Sequence, residues 1–89
     1  MVERELEIIN KLGLHARAAA QFVKVAGAFG SEVRVAREGR DADGKSIMAV
    51  MMLAASCGTR IRVTTEGDDE EAAMEAISAL VADRFGEEE

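Results

Sequence analysis

Apolar and polar residues alternate along the first stretch of the chain. Val2, Leu6 and Ile8 fall on one side of an extended backbone, and Glu3, Glu5 and Glu7 on the other. This predicts a strand from Val2 to Ile9 with one buried and one wet face, as in an antiparallel sheet covered on a single side. Asn10 to Leu14 reads as a loop turning on Gly13. The period then lengthens from Ala16 to about Ala28, where Ala19, Phe22, Val23 and Ala26 recur at helical spacing. Gly27 and Gly30 are its stop signals, and Phe29 between them is expected to anchor the core. Glu32 to Arg37 alternates again with Val33 and Val35 inward, turns at Glu38-Gly39 and returns over Arg40 to Asp43 as a hairpin.

Ser46 is a good N-cap for a short helix through Ile47-Met48-Ala49-Val50-Met51-Met52-Leu53, a run with too few β-branched residues to favour a strand. Val50 and Leu53 are expected in its core, and Ile47, Met48 and Met51 partly exposed. After a loop over Ala54 to Gly58, Thr59 to Thr65 forms a further strand with Ile61 and Val63 inward. Asp68-Asp69-Glu70-Glu71 opens a last helix, with Asp68 and Glu71 at capping-box spacing. Met74, Ile77, Leu80, Val81 and Phe85 form its buried stripe, Gly86 ends it, and Glu87-Glu88-Glu89 is expected to fray. The order β-α-β-β-α-β-α predicts an α+β open-faced sandwich, a four-stranded antiparallel sheet with three helices on one face. No repeat or linker interrupts it, so residues 1–89 form one domain.

Composition narrows the function classes. A net charge of −6 argues against binding a phosphate backbone, and three aromatic residues leave little to stack on bases. No nucleic-acid partner is expected. The longest apolar run, Ile47 to Ala55, is far short of the roughly 20 residues that span a bilayer. Charges begin at Glu3, unlike a secretory signal, so membrane insertion is not expected and a cytoplasmic location is the default. One histidine and one cysteine do not make a conventional zinc site, and neither a metal nor a cofactor is expected. Cys57 is read as a small buried or half-buried residue.

The chemistry concentrates at Gly13-Leu14-His15-Ala16-Arg17. His15 is the only histidine, placed at or beside the N-cap of an alanine-rich helix. Imidazole is neutral and nucleophilic near physiological pH, and a helix mouth offers unpaired N–H groups and the positive end of the macrodipole to an anion. Arg17 adds a planar fork of donors suited to phosphate. Such a histidine can also be a cap without chemistry, and such an arginine a solvated charge. Between Asn10 and Gly30 the charges are Lys11, Arg17 and Lys24 with no acid, which makes this end locally basic on an acidic protein.

Two motifs resemble the phosphocarrier protein HPr family of the bacterial phosphoenolpyruvate phosphotransferase system. Gly13-Leu14-His15-Ala16-Arg17 resembles its phosphorylated-histidine signature. Gly44-Lys45-Ser46-Ile47-Met48, followed by Met51-Met52-Leu53, resembles its regulatory-serine segment. The spacing, length and element order match as well, so the resemblance covers essentially the whole chain. It implies a monomeric carrier that accepts a phosphoryl group from enzyme I on Nδ1 of His15 and passes it to a IIA protein or domain. It also implies that Arg17 neutralises the transferring group, and that Ser46 is a site for an HPr kinase/phosphorylase where one exists. Ala16, Ala20, Lys24, Ile47, Met48 and Met51 would form the docking surface. Ala18 departs from the family, which usually has proline there, and could add an N–H near the phosphoryl oxygens. Two rival readings stand beside this one. Acylphosphatases are similarly small α/β proteins, but their phosphate loop has no match here. A regulatory module acting only through its phosphoserine would lack an active histidine.

Overall fold

The computed structural model describes residues 1–89. β1 (Val2–Glu7), α1 (Ala16–Gly27), β2 (Glu32–Arg37), β3 (Arg40–Asp43), α2 (Ile47–Met51), β4 (Arg60–Glu66) and α3 (Glu70–Ala82) follow in the expected order, and a tight turn at Arg84–Gly86 closes the series. The four strands form one antiparallel sheet in the order β1-β4-β2-β3. β1 pairs with β4 in the register Leu6↔Ile61, and β2 with β4 in the register Val35↔Val63. That register sets Ile61, Val63, Val33 and Val35 on the same covered face, where each is at most 1% exposed. The other face carries the charges that alternation sends outward, including Arg60–Glu5 and Arg62–Glu3 pairs at 3.1 Å. These pairs are exposed and contribute little stability each.

The helices supply the second layer. Phe22, Ala19 and Ala26 of α1, Val50 of α2, and Met74 and Ile77 of α3 have no exposed surface. Full burial of side chains such as Phe22 or Ile77 contributes about 1.5–3 kcal/mol each. The short α2 is held by its cap and by two arginines from the hairpin. Arg37 donates to the Leu53 carbonyl at 3.0 Å and Arg40 to the Met52 carbonyl at 3.2 Å. No helix is long and apolar enough to cross a membrane.

Several sequence expectations are corrected. Phe29 is half-buried and lies outside the core cluster, because it follows the end of α1 on the way to β2. Phe85 takes the anchoring part at the other end of the sheet; it is 4% exposed but sits in the turn after α3, not on the helix. Cys57 is exposed, because the loop before β4 faces solvent. The capping box at Asp68 and Glu71 does not form. α3 starts at Glu70 with Asp69 as N-cap, and the Asp69 carboxylate turns away from the helix to accept from the Gly30 and Ser31 N–H groups and the Ser31 hydroxyl. Those bonds, led by the Ser31 hydroxyl, hold the Asp69 carboxyl below its ordinary range.

Candidate functional site

The loop before α1 turns because Gly13 takes a φ of +71°, a left-handed conformation glycine adopts freely. A Cβ there would lie 2.7 Å from the Ala55 carbonyl oxygen, so the close approach of the 54–58 loop also requires glycine. The Leu14 N–H donates to that same carbonyl at 2.8 Å and Leu14 is buried, which fixes the residue before the histidine.

His15 is the N-cap of α1, with extended backbone and its carbonyl accepting from the Ala19 N–H at 2.8 Å. Its ring caps as well: the Arg17 N–H donates to Nδ1 at 3.2 Å. With Nδ1 accepting, the proton of the neutral ring belongs on Nε2. Nε2 faces Oε2 of Glu87, 72 residues away in sequence, and donates to it. The His15 side chain is 29% exposed and the Glu87 side chain 14%. The Arg17 side chain is exposed and takes part in none of the ion pairs.

Glu87 is held in turn. Asn10, fully buried, donates from Nδ2 to Oε1 of Glu87 at 3.0 Å and to the Gly13 carbonyl at 2.7 Å. The Lys11 N–H donates to the Glu89 carbonyl at 2.7 Å. Burial pushes the Glu87 carboxyl upward, but the hydrogen bonds from Asn10 and His15, with the electrostatic attraction of the His15 N–H and the Arg17 charge, outweigh it and leave the carboxyl below its ordinary range.

The acidic Glu87–Glu89 segment is therefore not frayed. It lies against the histidine loop, and the end that looked basic in sequence receives acids from the far end of the chain. Ala18 is completely buried in the first turn of α1. The remaining residues singled out from sequence are placed as follows. Ser46 caps α2, its Oγ accepting from the Ala49 N–H at 3.2 Å. Ala16, Ala20 and Lys24 are exposed on α1, and Ile47, Met48 and Met51 on α2, with α1 packed against α2. Met48 is 73% exposed, Leu12 70% and Met52 69%.

The sequence reading missed Asn10 as part of the site and left the acidic Glu87–Glu89 tail unplaced against it. The available signal was a lone amide directly after an apolar strand and a Phe-Gly pair directly before the acids. Neither names a partner.

A nucleophilic ring at a helix mouth, with one nitrogen accepting from the Arg17 N–H and the other donating to a carboxylate, defines a protein suited to hold an anion on histidine. Comparison with known proteins agrees. The family profile described as "PTS HPr component phosphorylation site" matches residues 2–83. The phosphocarrier protein HPr of Cupriavidus necator is 55% identical over 89 residues, covering 100% of both chains. That of Pseudomonas aeruginosa is 57% identical over 86 residues, covering 96% of each. The crystal structure of HPr-C-His from Thermoanaerobacter tengcongensis superposes with a TM-score of 0.96 at 45% identity, with both chains covered completely. The chain belongs to the HPr family of phosphocarrier proteins of the phosphotransferase system.

Proposed function

We propose that the protein carries a phosphoryl group on Nδ1 of His15, receiving it from phosphorylated enzyme I and giving it to a histidine of a IIA protein or domain. The observation that carries this reading is the division of the imidazole. Nδ1 faces the Arg17 N–H at the helix mouth, while Nε2 is occupied by Glu87. The Nδ1 lone pair, released from the Arg17 N–H that it accepts in the resting ring, attacks phosphorus in line, the bond from phosphorus to the donor nitrogen breaks, and the donor imidazole leaves with that electron pair. Onward transfer repeats the step with His15 as leaving group. Phosphoryl transfer asks a protein chiefly for positioning and charge stabilisation. Here the α1 macrodipole and the exposed guanidinium of Arg17 supply the charge. The protein is a carrier, regenerated by its partners, not a turnover enzyme.

Ala16, Ala20, Lys24, Ile47, Met48 and Met51 form the docking surface in this reading. Adaptable methionines suit a protein that meets more than one partner, and the carrier works as a monomer in the cytoplasm. Ser46 supports a second, compatible role. A phosphate on its Oγ would bring about −1.5 to −2 charge to the start of α2, beside exposed Ile47 and Met48, and would repel an acidic partner. Ser46→Asp is expected to slow phosphorylation by enzyme I without removing the acceptor; an unchanged rate would count against the regulatory role.

The carrier reading is tested by intact mass after incubation with enzyme I, magnesium and phosphoenolpyruvate. The native chain should gain one acid-labile phosphoryl group, and His15→Ala none. A native chain left unmodified by a demonstrably active cognate enzyme I would refute the reading.

A further inference from the structure

The carboxylate on the carrier histidine is placed by structure from two directions. From its own side, Phe85 is buried although it takes a φ of +55°, a left-handed conformation that a bulky residue adopts at a cost. That turn aims the chain after Gly86 at the α1 mouth. From the other side, the buried Asn10 amide bridges Glu87 and the Gly13 carbonyl, tying the carboxylate to the loop that sets the histidine. Asn10 Oδ1 has no partner, so its amide is committed through Nδ2 alone. Glu88 beside it is exposed and makes no such contact.

We propose that Glu87, held by Asn10, is a positioning residue for phosphoryl transfer at His15: it accepts the Nε2 proton, turns the Nδ1 lone pair to the helix mouth, and offsets the positive charge the ring acquires on phosphorylation. The inference rests on the carrier reading above. When the Nδ1 lone pair forms the bond to phosphorus and the donor bond breaks, no proton need leave Nε2, so the phosphorylated ring is a cation. In the onward step that same proton lets His15 depart as neutral imidazole instead of imidazolide. A carboxylate against Nε2 stabilises the cation formed on acceptance, and in the onward step it keeps the proton on Nε2. It sits on the nitrogen that phosphorus does not approach.

The test uses the full-length chain with 15N-labelled histidine and four forms: native, Glu87→Ala, Glu87→Gln and Glu88→Ala. Long-range proton–nitrogen correlation of the neutral ring reads which nitrogen is protonated, and quenched-flow mixing with phosphorylated enzyme I reads the transfer rate. The native ring should hold its proton on Nε2 alone, with that proton protected from exchange. Glu87→Ala should mix the two tautomers and slow transfer roughly 10-fold or more, the scale on which removing the hydrogen-bond partner that orients a metal-bound histidine acts. Glu87→Gln can still accept from Nε2 but carries no charge, so it should restore the tautomer and only part of the rate. Glu88→Ala removes the same charge without the contact and should change neither. Native-like ring signals and rates in Glu87→Ala would overturn the proposal, as would an equal loss in Glu88→Ala. A native chain that enzyme I does not phosphorylate would instead refute the carrier reading, and the ring spectra would still decide whether Glu87 holds Nε2.

Discussion

The mouths of α1 and α2 are capped by side chains from the two motifs, and they are capped differently. At α1 the His15 ring accepts from the Arg17 N–H; at α2 the Ser46 hydroxyl accepts from the Ala49 N–H, each at 3.2 Å. Both satisfy one of the donors that every helix start leaves unpaired. Ser46 does this within its own turn. His15 has a second nitrogen on the far edge of the ring, and that nitrogen finds Glu87 from the opposite end of the chain. A hydroxyl cap needs only local sequence, whereas an imidazole cap whose other nitrogen is also engaged needs the whole fold. The α1 mouth thus depends on distant packing, and the α2 mouth does not.

The most severe way to break this contrast is through the anchor of the Glu87 segment. Phe85→Ala empties a buried site and should cost about 3–5 kcal/mol in urea unfolding. It should also release Glu87, seen as loss of the protected Nε2 proton, while the Ser46 cap of α2 stays intact by amide exchange at Ala49. Retention of the Nε2 contact would show that Asn10 alone suffices. Gly13→Ala acts from the loop side, forcing a Cβ against the Ala55 carbonyl at a positive φ. It should cost about 2 kcal/mol, within the range for backbone strain, and disturb His15 more than Ser46. Native-like stability would mean the 54–58 loop gives way easily.

Ser46→Ala sharpens the comparison from the other side. It should cost about 1 kcal/mol, the usual value of a hydroxyl cap, and leave the His15 ring signals unchanged. A change at His15 would show that the mouths are coupled through the packing of α1 on α2.

The smallest effect concerns pH. The folded state holds the Glu87 carboxyl below its ordinary value of 4.5. The group therefore stabilises the fold above that ordinary value, and the contribution is lost as pH falls through the lower folded value. Native protein should exceed Glu87→Gln in stability near pH 7 and match it in strong acid. A gap that persisted in acid strong enough to protonate the folded-state carboxyl would assign the difference to packing instead of charge.

Elements with a strong local period were legible in the sequence. Alternation at Leu6–Ile8, Val33–Val35 and Ile61–Val63, and the helical stripe through Ala19, Phe22 and Ala26, fix strands, helix and faces without tertiary knowledge. The His15 and Ser46 caps were legible too, because capping residues declare themselves next to the helix they start. What failed depended on distance. The cap of α3 was read at Asp68 and Glu71, but the N-cap is Asp69, whose carboxylate is drawn away by donors at Gly30 and Ser31. Glu87-Glu88-Glu89 looked like a solvated run because nothing adjacent shows that Phe85 is buried or that Asn10 has a free amide hydrogen to give. Cys57 was assigned by residue type, and its loop faces water. Glu87, the part of the candidate site that reaches His15 from the far end of the chain, had no local signature that names its partner.

The most direct measurement on the central claim is nitrogen NMR of the phosphorylated chain with 15N-labelled histidine. Phosphorus–nitrogen coupling is expected at Nδ1 of His15, with the proton retained on Nε2 against Glu87. Coupling at Nε2, or phosphate found on Ser46 with His15 unmodified after reaction with phosphorylated enzyme I, would contradict it.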